Sequence, residues 1–354
     1  MTRIDRYIFK TVVGATLAAL LVLLVMEAFF GLLSELEDLG EGNYTLLAIL
    51  QHVALTMPRR SYETFPMALL LGGLLGMGAL AQNSELVVMR GAGVSLLRLT
   101  RAALQAGLFL GIIALFIGEF VAPVTERSAQ LLHAVAKYEE RTILKGRGFW
   151  ARDGNQIINV RAVLPGDKLV DVTLYELGEN AELISLSHAQ GARYQAGHWI
   201  LDGITRSNLS TDPVTTHTLV SLSVDWGLNP DLLEVLAMDP EDLAMRNLST
   251  YIDYLRDNGL DARHYELAFW VKAFTPLTNL GMLFIALPFV FGPQRTAGVG
   301  QRLLIGVLLG LLFYLLNRLL GNVVLLYNYP PLLGALLPTL FFFGAGTYAL
   351  RRLR

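Results

Sequence analysis

Six long apolar runs alternate along the chain with short polar segments. Between the third and the fourth the pattern changes from blocks to short alternating stretches. The runs cover about residues 11–33, 62–81, 102–121, 267–291, 303–326 and 332–350. As helices, each is long enough to cross roughly 30 Å of hydrocarbon. Residues 44–57 read as an amphipathic helix lying at the outer interface and stopped by Pro58. Pro123 reads as the end of the third run, and Pro276 and Pro288 fall inside the fourth. Gly72 and Gly76 form a small-xxx-small step that lets another helix approach closely.

The stretch between runs three and four has another period. Residues 125–144 read as a helical stalk with Leu131, Leu132 and Val135 on one side. Short β-type runs then follow near residues 149–150, 157–160, 170–175, 183–186, 191–194, 198–201, 204–209 and 216–224, with Gly, Asn, Asp and Pro165 between them. Such closely spaced strands predict a β-sandwich or jelly roll. Residues 231–258 turn helical again.

Charge orients these elements. Arg3, Arg6 and Lys10 precede the first run, and Glu35, Glu37, Asp38 and Glu41 follow it. Arg98 and Arg101 precede the third, Arg295 and Arg302 precede the fifth, and Arg351, Arg352 and Arg354 close the sixth. By the positive-inside rule both termini are cytoplasmic and the β region lies on the other side. The expectation is a polytopic α-helical membrane protein with six transmembrane helices, N-in and C-in, and an inserted periplasmic β-jelly-roll domain. Its parts are residues 1–123 with helices one to three, 124–265 with the jelly roll and stalks, and 266–354 with helices four to six. The first apolar run is too long for the core of a cleavable signal.

Composition agrees with that class. The 354 residues are 53% hydrophobic and 16% charged, with net charge −2, too apolar for an ordinary soluble domain. The near-neutral balance gives no case for nucleic acid as a partner. Without cysteine, disulfides, thiolate metal sites and cysteine nucleophiles are excluded. No G-x-x-x-x-G-K-[ST], H-E-x-x-H or G-x-S-x-G motif occurs, so an enzyme is the weaker class. The histidines are scattered; His188, His198 and His217 have no metal-ligand spacing and read as surface or core residues.

Two features carry candidate chemistry. The first is residues 83–93, a short isolated helix between runs two and three. Asn83 or Ser84 suits its N-cap, Glu85 the positive end of its dipole, and Gly91 and Gly93 its left-handed end. Leu86, Val87, Val88 and Met89 form an apolar knob beside Arg90. It is either a turn that returns the chain to the membrane or a coupling helix that passes a cytoplasmic motor's movement into the spans. The second is a ring of ionisable residues toward the outer face: Glu27, Arg59, Arg60, Glu119, Lys272 and Arg318. Charges at membrane depth are functional candidates and rarely face lipid. They either pair with one another and support packing, or grip the headgroup of an amphiphile, for which arginine forks suit phosphate oxygens. Phe29, Phe30, Phe65, Phe313 and Tyr314 either line an apolar cavity or pack.

Several motifs resemble the LptF/LptG permeases of the lipopolysaccharide export ABC transporter, and the LptG branch more than LptF. They are Phe65-Pro66-Met67-Ala68, the string from Leu80 through Asn83-Ser84-Glu85 to Arg90, and Gly118-Glu119-Phe120-Val121-Ala122-Pro123. Gly148-Phe149-Trp150-Ala151-Arg152-Asp153-Gly154, Phe291-Gly292-Pro293-Gln294-Arg295 and Gly334-Ala335-Leu336-Leu337-Pro338 continue the resemblance in order. It implies one permease half in the bacterial inner membrane, paired with a paralogous LptF-type half. It further implies two copies of an LptB-type ATPase and an LptC-type periplasmic bridge protein. ATP and Mg would be used by the ATPase, with no cofactor bound by this chain. Ser84, Glu85, Leu86, Val87, Met89 and Arg90 would dock on the ATPase. Lipopolysaccharide would enter from the outer leaflet near spans one and five. Arg59 would meet lipid A phosphates, and Phe30, Phe313 and Leu316 acyl chains, with Arg60, Phe65, Lys272, Asn317 and Arg318 completing the candidate binding set. The acids Glu35, Glu37 and Asp38 stand at the outer end of span one, where lysines would suit phosphates. Either divalent cations bridge them, or Arg59, Arg60, Arg318 and the partner chain supply the basic side. The competing class is a membrane-anchored scaffold whose β domain binds a partner by strand addition.

Overall fold

The computed structural model describes residues 2–137, 149–164, 168–178, 182–195, 197–210, 213–226, 239–292 and 298–352. The end of the stalk (138–144), the turn at 165–167, the start of the returning helix (231–238), Pro293 to Arg295, and Arg354 lie outside the described residues.

The chain divides into two compact units. The first comprises Met1–Ser34, Val53–Glu126 and Arg263–Arg354. Its long helices are α1 (Arg3–Glu35), α2 (Leu46–Gln82), α4 (Leu96–Phe116), α7 (Arg263–Phe291), α8 (Val299–Leu326) and α9 (Pro331–Arg351), with the short α3 (Glu85–Gly91) between α2 and α4. Six of the described helices are long and apolar enough to cross a membrane. α2 and α7 are the most buried of them, while little of the apolar length of α1 and α8 is buried. A helix apolar on every side packs through its small residues. Gly72 of α2 lies against the backbone and hydroxyl of Thr16 in α1, and a Cβ on Gly76 would stand 2.9 Å from the Ala15 methyl. Glycines on α4 and α9 do the same for α7, where a Cβ on Gly107 would meet Leu283 at 2.6 Å and one on Gly346 would meet Phe284 at 2.8 Å.

Two expected breaks are absent. Residues 44–57 are not a separate interfacial helix, because α2 runs unbroken through Pro58 and Pro66. Each proline frees one carbonyl, and hydroxyls add bonds along the same stretch: Ser61 donates to the Pro58 carbonyl at 2.7 Å and Thr64 to that of Arg60 at 2.8 Å. Nor does Pro123 end the third span. A π-helical turn at Ile117–Val121 joins α4 to α5 (Ala122–Lys137), and proline falls in the first turn of α5, where its missing N–H costs little.

The second unit comprises Glu35–His52 and Arg127–Ala262. Its strands are β1 (Phe149–Asp153), β2 (Gln156–Leu164), β3 (Lys168–Leu177), β4 (Leu183–Gln195), β5 (His198–Asn208) and β6 (Thr215–Val224). They form one antiparallel sheet in sequence order, β1-β2-β3-β4-β5-β6. Among the described residues this is a meander; the short connections pair each strand with the next, whereas a jelly roll sends strands across two sheets. The strands are also longer than the sequence suggests. Pairing lapses at a single level across the sheet, at Arg161–Asp171, Asp171–Gln190, Gln190–Gly203 and Gly203–Val220. Asp171 and Gly203 there have φ of +57° and +61°. Residues three apart, such as Leu169 and Val172, Ala189 and Ala192, or Leu201 and Ile204, therefore enter one core with Trp199 and Trp226. The alternation changes phase at this crease instead of ending. Helix α6 (Met245–Asp257) buries Leu248, Tyr251, Ile252 and Leu255, and the Tyr254 hydroxyl donates to the Arg152 carbonyl at 2.8 Å. Burial raises the Tyr254 pKa above its usual value.

Candidate functional site

The segment between α2 and α4 is fixed at both ends. Ser84 adopts φ 60°, ψ 8° and makes no side-chain cap. It ends α2 in a left-handed conformation while its own carbonyl accepts from the N–H groups of Val87 and Val88 at 3.1 and 3.0 Å. That dual position turns its hydroxyl away from the cap that the residue type predicts. Glycine behaves as expected: Gly93 has φ +86°, and the Val94 N–H reaches the Met89 carbonyl at 3.0 Å, a Schellman closure. Ser95 then caps α4 by accepting from the Arg98 N–H at 3.3 Å. Arg98 is held in turn by Asp5 at 3.2 Å and the Thr2 hydroxyl at 2.7 Å.

This frame sorts the knob into two faces. Leu86 is only 4% exposed and belongs to the core formed with Leu80, Leu99 and Val290. Met89 packs against the same cluster. Glu85 is hydrogen-bonded to the Tyr7 hydroxyl. Ser84, Val87, Val88 and Arg90 face outward, and Val88 is 70% exposed. Of the expected docking set, Leu86 is buried among the helices, while Val88, outside that set, is exposed. The phase of one helical turn set by the left-handed Ser84 decides this, and residue types alone do not reveal it.

The polar ring is largely paired within the chain. Arg60 donates from Nη1 to the Glu27 carbonyl at 2.9 Å and to its carboxylate at 3.1 Å. Arg59 bridges Glu63 at 2.8 Å and Glu126 at 3.1 Å. Lys272 is 6% exposed, with its ammonium 5.9 Å from the centre of the Tyr62 ring, a cation–π arrangement. Neither Lys272 nor Glu119 lacks a partner. Arg318 is exposed and donates to the Tyr314 hydroxyl at 3.1 Å.

The aromatic candidates divide in the same way. Phe65 is 4% exposed in the central core and cannot meet a ligand there. Phe313 stands edge-on to Phe342 at 5.3 Å, and it and Leu316 pack partly against the cluster of Leu70, Leu74 and Met282. Asn317 is half-buried. Phe30 is 60% exposed on α1 and shares that open face with Val22 and Met26. Two apolar helix faces, on α1 and α8, thus remain uncovered, while Arg59 and Arg60 of α2 are already occupied by carboxylates.

The family model described as lipopolysaccharide export system permease LptF/LptG matches residues 6–352. The chain belongs to this LptF/LptG family. It is 35% identical over 353 residues to the Escherichia coli K12 lipopolysaccharide export system permease protein LptG, covering 99% of this chain and 98% of that protein. Identity to Haemophilus influenzae LptG is also 35%, over 341 residues, 96% of this chain and 95% of the relative. E. coli K12 LptF matches more distantly, 26% over 176 residues, 49% of this chain and 48% of LptF. An LptF/LptG-family chain of this kind is a permease protein and carries no ATPase motif of its own.

Proposed function

We propose that the chain is the LptG-type permease half of an ATP-driven lipopolysaccharide exporter. The observation that carries this reading is the 35% identity to LptG proteins along 99% of the chain. In this reading six helices cross the inner membrane with both termini in the cytoplasm, and the β unit lies in the periplasm. The uncovered faces of α1 and α8 meet a paralogous LptF-type half and the acyl chains of lipid entering from the outer leaflet. Val87, Val88 and Arg90 of α3 sit on an LptB-type ATPase present in two copies, which binds ATP and Mg. Leu86 and Met89 carry its movement into the packed helices. ATP-driven closure then passes the lipid to the β unit and an LptC-type bridge.

Pairing in the polar ring gives the substrate step a definite form. Arg59 and Arg60 are held by Glu63, Glu126 and Glu27, so a lipid phosphate exchanges for a carboxylate instead of filling an empty fork. A bidentate arginine–phosphate pair is geometrically suited to that exchange. Lys272 and Phe65 act as packing residues.

The test places a photocrosslinking residue at Phe30 or Leu315, both exposed, in the assembled complex in lipopolysaccharide-containing membranes. Lipopolysaccharide adducts at these positions that disappear on ATP addition are expected. Adducts no stronger than at Leu108, an exposed position on α4, would overturn the entry route.

A further inference from the structure

Four side chains of the second unit converge from three segments: Glu35 at the end of α1, Asp38 in the 3-10 turn after it, His52 in α2 and His133 in α5. His133 Nε2 lies 3.5 Å from Asp38 Oδ2 and 3.8 Å from Glu35 Oε2. One ligand atom from each of Glu35, Asp38 and His133 lies within 4.8 Å of the others. Ligands about 2.1 Å from a tetrahedral zinc stand roughly 3.4 Å from one another, so small side-chain rotations close this set on an ion.

His52 braces the cluster from α2. Its Nδ1 is 3.0 Å from the Ala129 carbonyl. A carbonyl only accepts, so Nδ1 carries the proton. Its Nε2 then faces Glu35 Oε1, 3.4 Å away. The Tyr44 hydroxyl donates to Glu35 Oε2 at 2.6 Å, and its ring stands edge-on to His133 at 5.0 Å. Carbonyl, hydroxyl and imidazole contacts of this kind hold ligating groups in metal sites.

We propose that Glu35, Asp38 and His133 bind a divalent cation of the zinc class, with His52 positioning Glu35. An imidazole ligand selects that class over calcium and magnesium, which take oxygen sets. The Asp38 and His133 side chains keep 31% and 28% of their exposure, which leaves a water-accessible side for a fourth ligand. The ion ties the end of α1 and the turn after it to α5. His52 and His133 are far apart in sequence, so no spacing motif announces the pair.

The test titrates the full-length chain, purified in detergent and stripped of metal, with cobalt(II) and then zinc. The wild type is expected to give a cobalt d–d absorption at one equivalent that zinc displaces. Asp38→Asn with His133→Gln should abolish it, and His52→Gln should weaken affinity about 10- to 100-fold. His188→Gln should change nothing. His133→Cys should retain binding and add a thiolate-to-cobalt charge-transfer band, which can come from no other position because the chain has no cysteine. Absence of stoichiometric uptake by the wild type would overturn the proposal. So would unchanged binding in the Asp38→Asn, His133→Gln variant. A His133→Cys chain that elutes as the wild type yet lacks the band would do the same.

Discussion

Arg60 reaches across from α2 to Glu27 in α1 and takes both its backbone oxygen, at 2.9 Å, and its carboxylate, at 3.1 Å. Gly31 makes room, since a Cβ there would stand 2.9 Å from the guanidinium. If lipid phosphate exchanges with the carboxylate, Glu27→Gln removes the competitor. Lipopolysaccharide crosslinking at Phe30 is expected to rise at limiting lipid in Glu27→Gln and to fall in Arg60→Ala. A stability double-mutant cycle should give a coupling of about 0.5–1 kcal/mol for the half-exposed pair. Equal crosslinking in all three proteins would assign the pair to packing alone.

Close approach of α1 to α2 depends on Gly72, which meets Thr16 directly. Gly72→Ala forces the helices apart and should cost about 1–3 kcal/mol. Gly14→Ala, with nothing within 4 Å, should be close to neutral. Thermal unfolding of the detergent-solubilised chain measures both.

Burial, and then the Glu35 carboxylate at its hydroxyl, raise the Tyr44 pKa. A raised pKa favours the protonated phenol in the fold. The stabilisation is therefore complete below the unfolded value near 10 and is lost as pH rises through the folded value. Tyr44→Phe should lower stability by about 1.5–3 kcal/mol, the range for a hydrogen bond to a charged acceptor. The deficit should be constant between roughly pH 6 and 9 and shrink above about pH 10. Denaturant unfolding at several pH values measures it.

Much of this architecture is written in hydropathy. The six apolar runs become the membrane-class helices because backbone bonding in hydrocarbon leaves few alternatives. What escapes is local compensation. Pro58 and Pro123 read as stops, yet α2 runs on through the first and a π-helical turn leads the helix into the second. In the sheet, β4 and β5 read as pairs of shorter strands because the crease at Gln190 and Gly203 shifts the alternation. The candidate sites are legible by type and not by partner. Arg59 and Arg60 stand out as outer-face charges, but Glu27 and Glu126, which hold them together with neighbouring Glu63, come from distant segments. Leu86 and Val88 are interchangeable in sequence, and only the left-handed Ser84 sets which of them is buried.

The central claim is that α3 links this permease to a cytoplasmic ATPase. Charge reversal at Glu85 is confounded by its bond to Tyr7, whereas Val88 is 70% exposed and belongs to no core. The deciding measurement is lipopolysaccharide-stimulated ATP hydrolysis by the purified complex carrying wild-type or Val88→Asp chain. Stimulation in the wild type, and its loss or loss of the ATPase itself in a Val88→Asp chain that still folds and pairs, is the predicted result. Wild-type stimulation in Val88→Asp with the ATPase still bound would contradict the account and leave α3 as a connector.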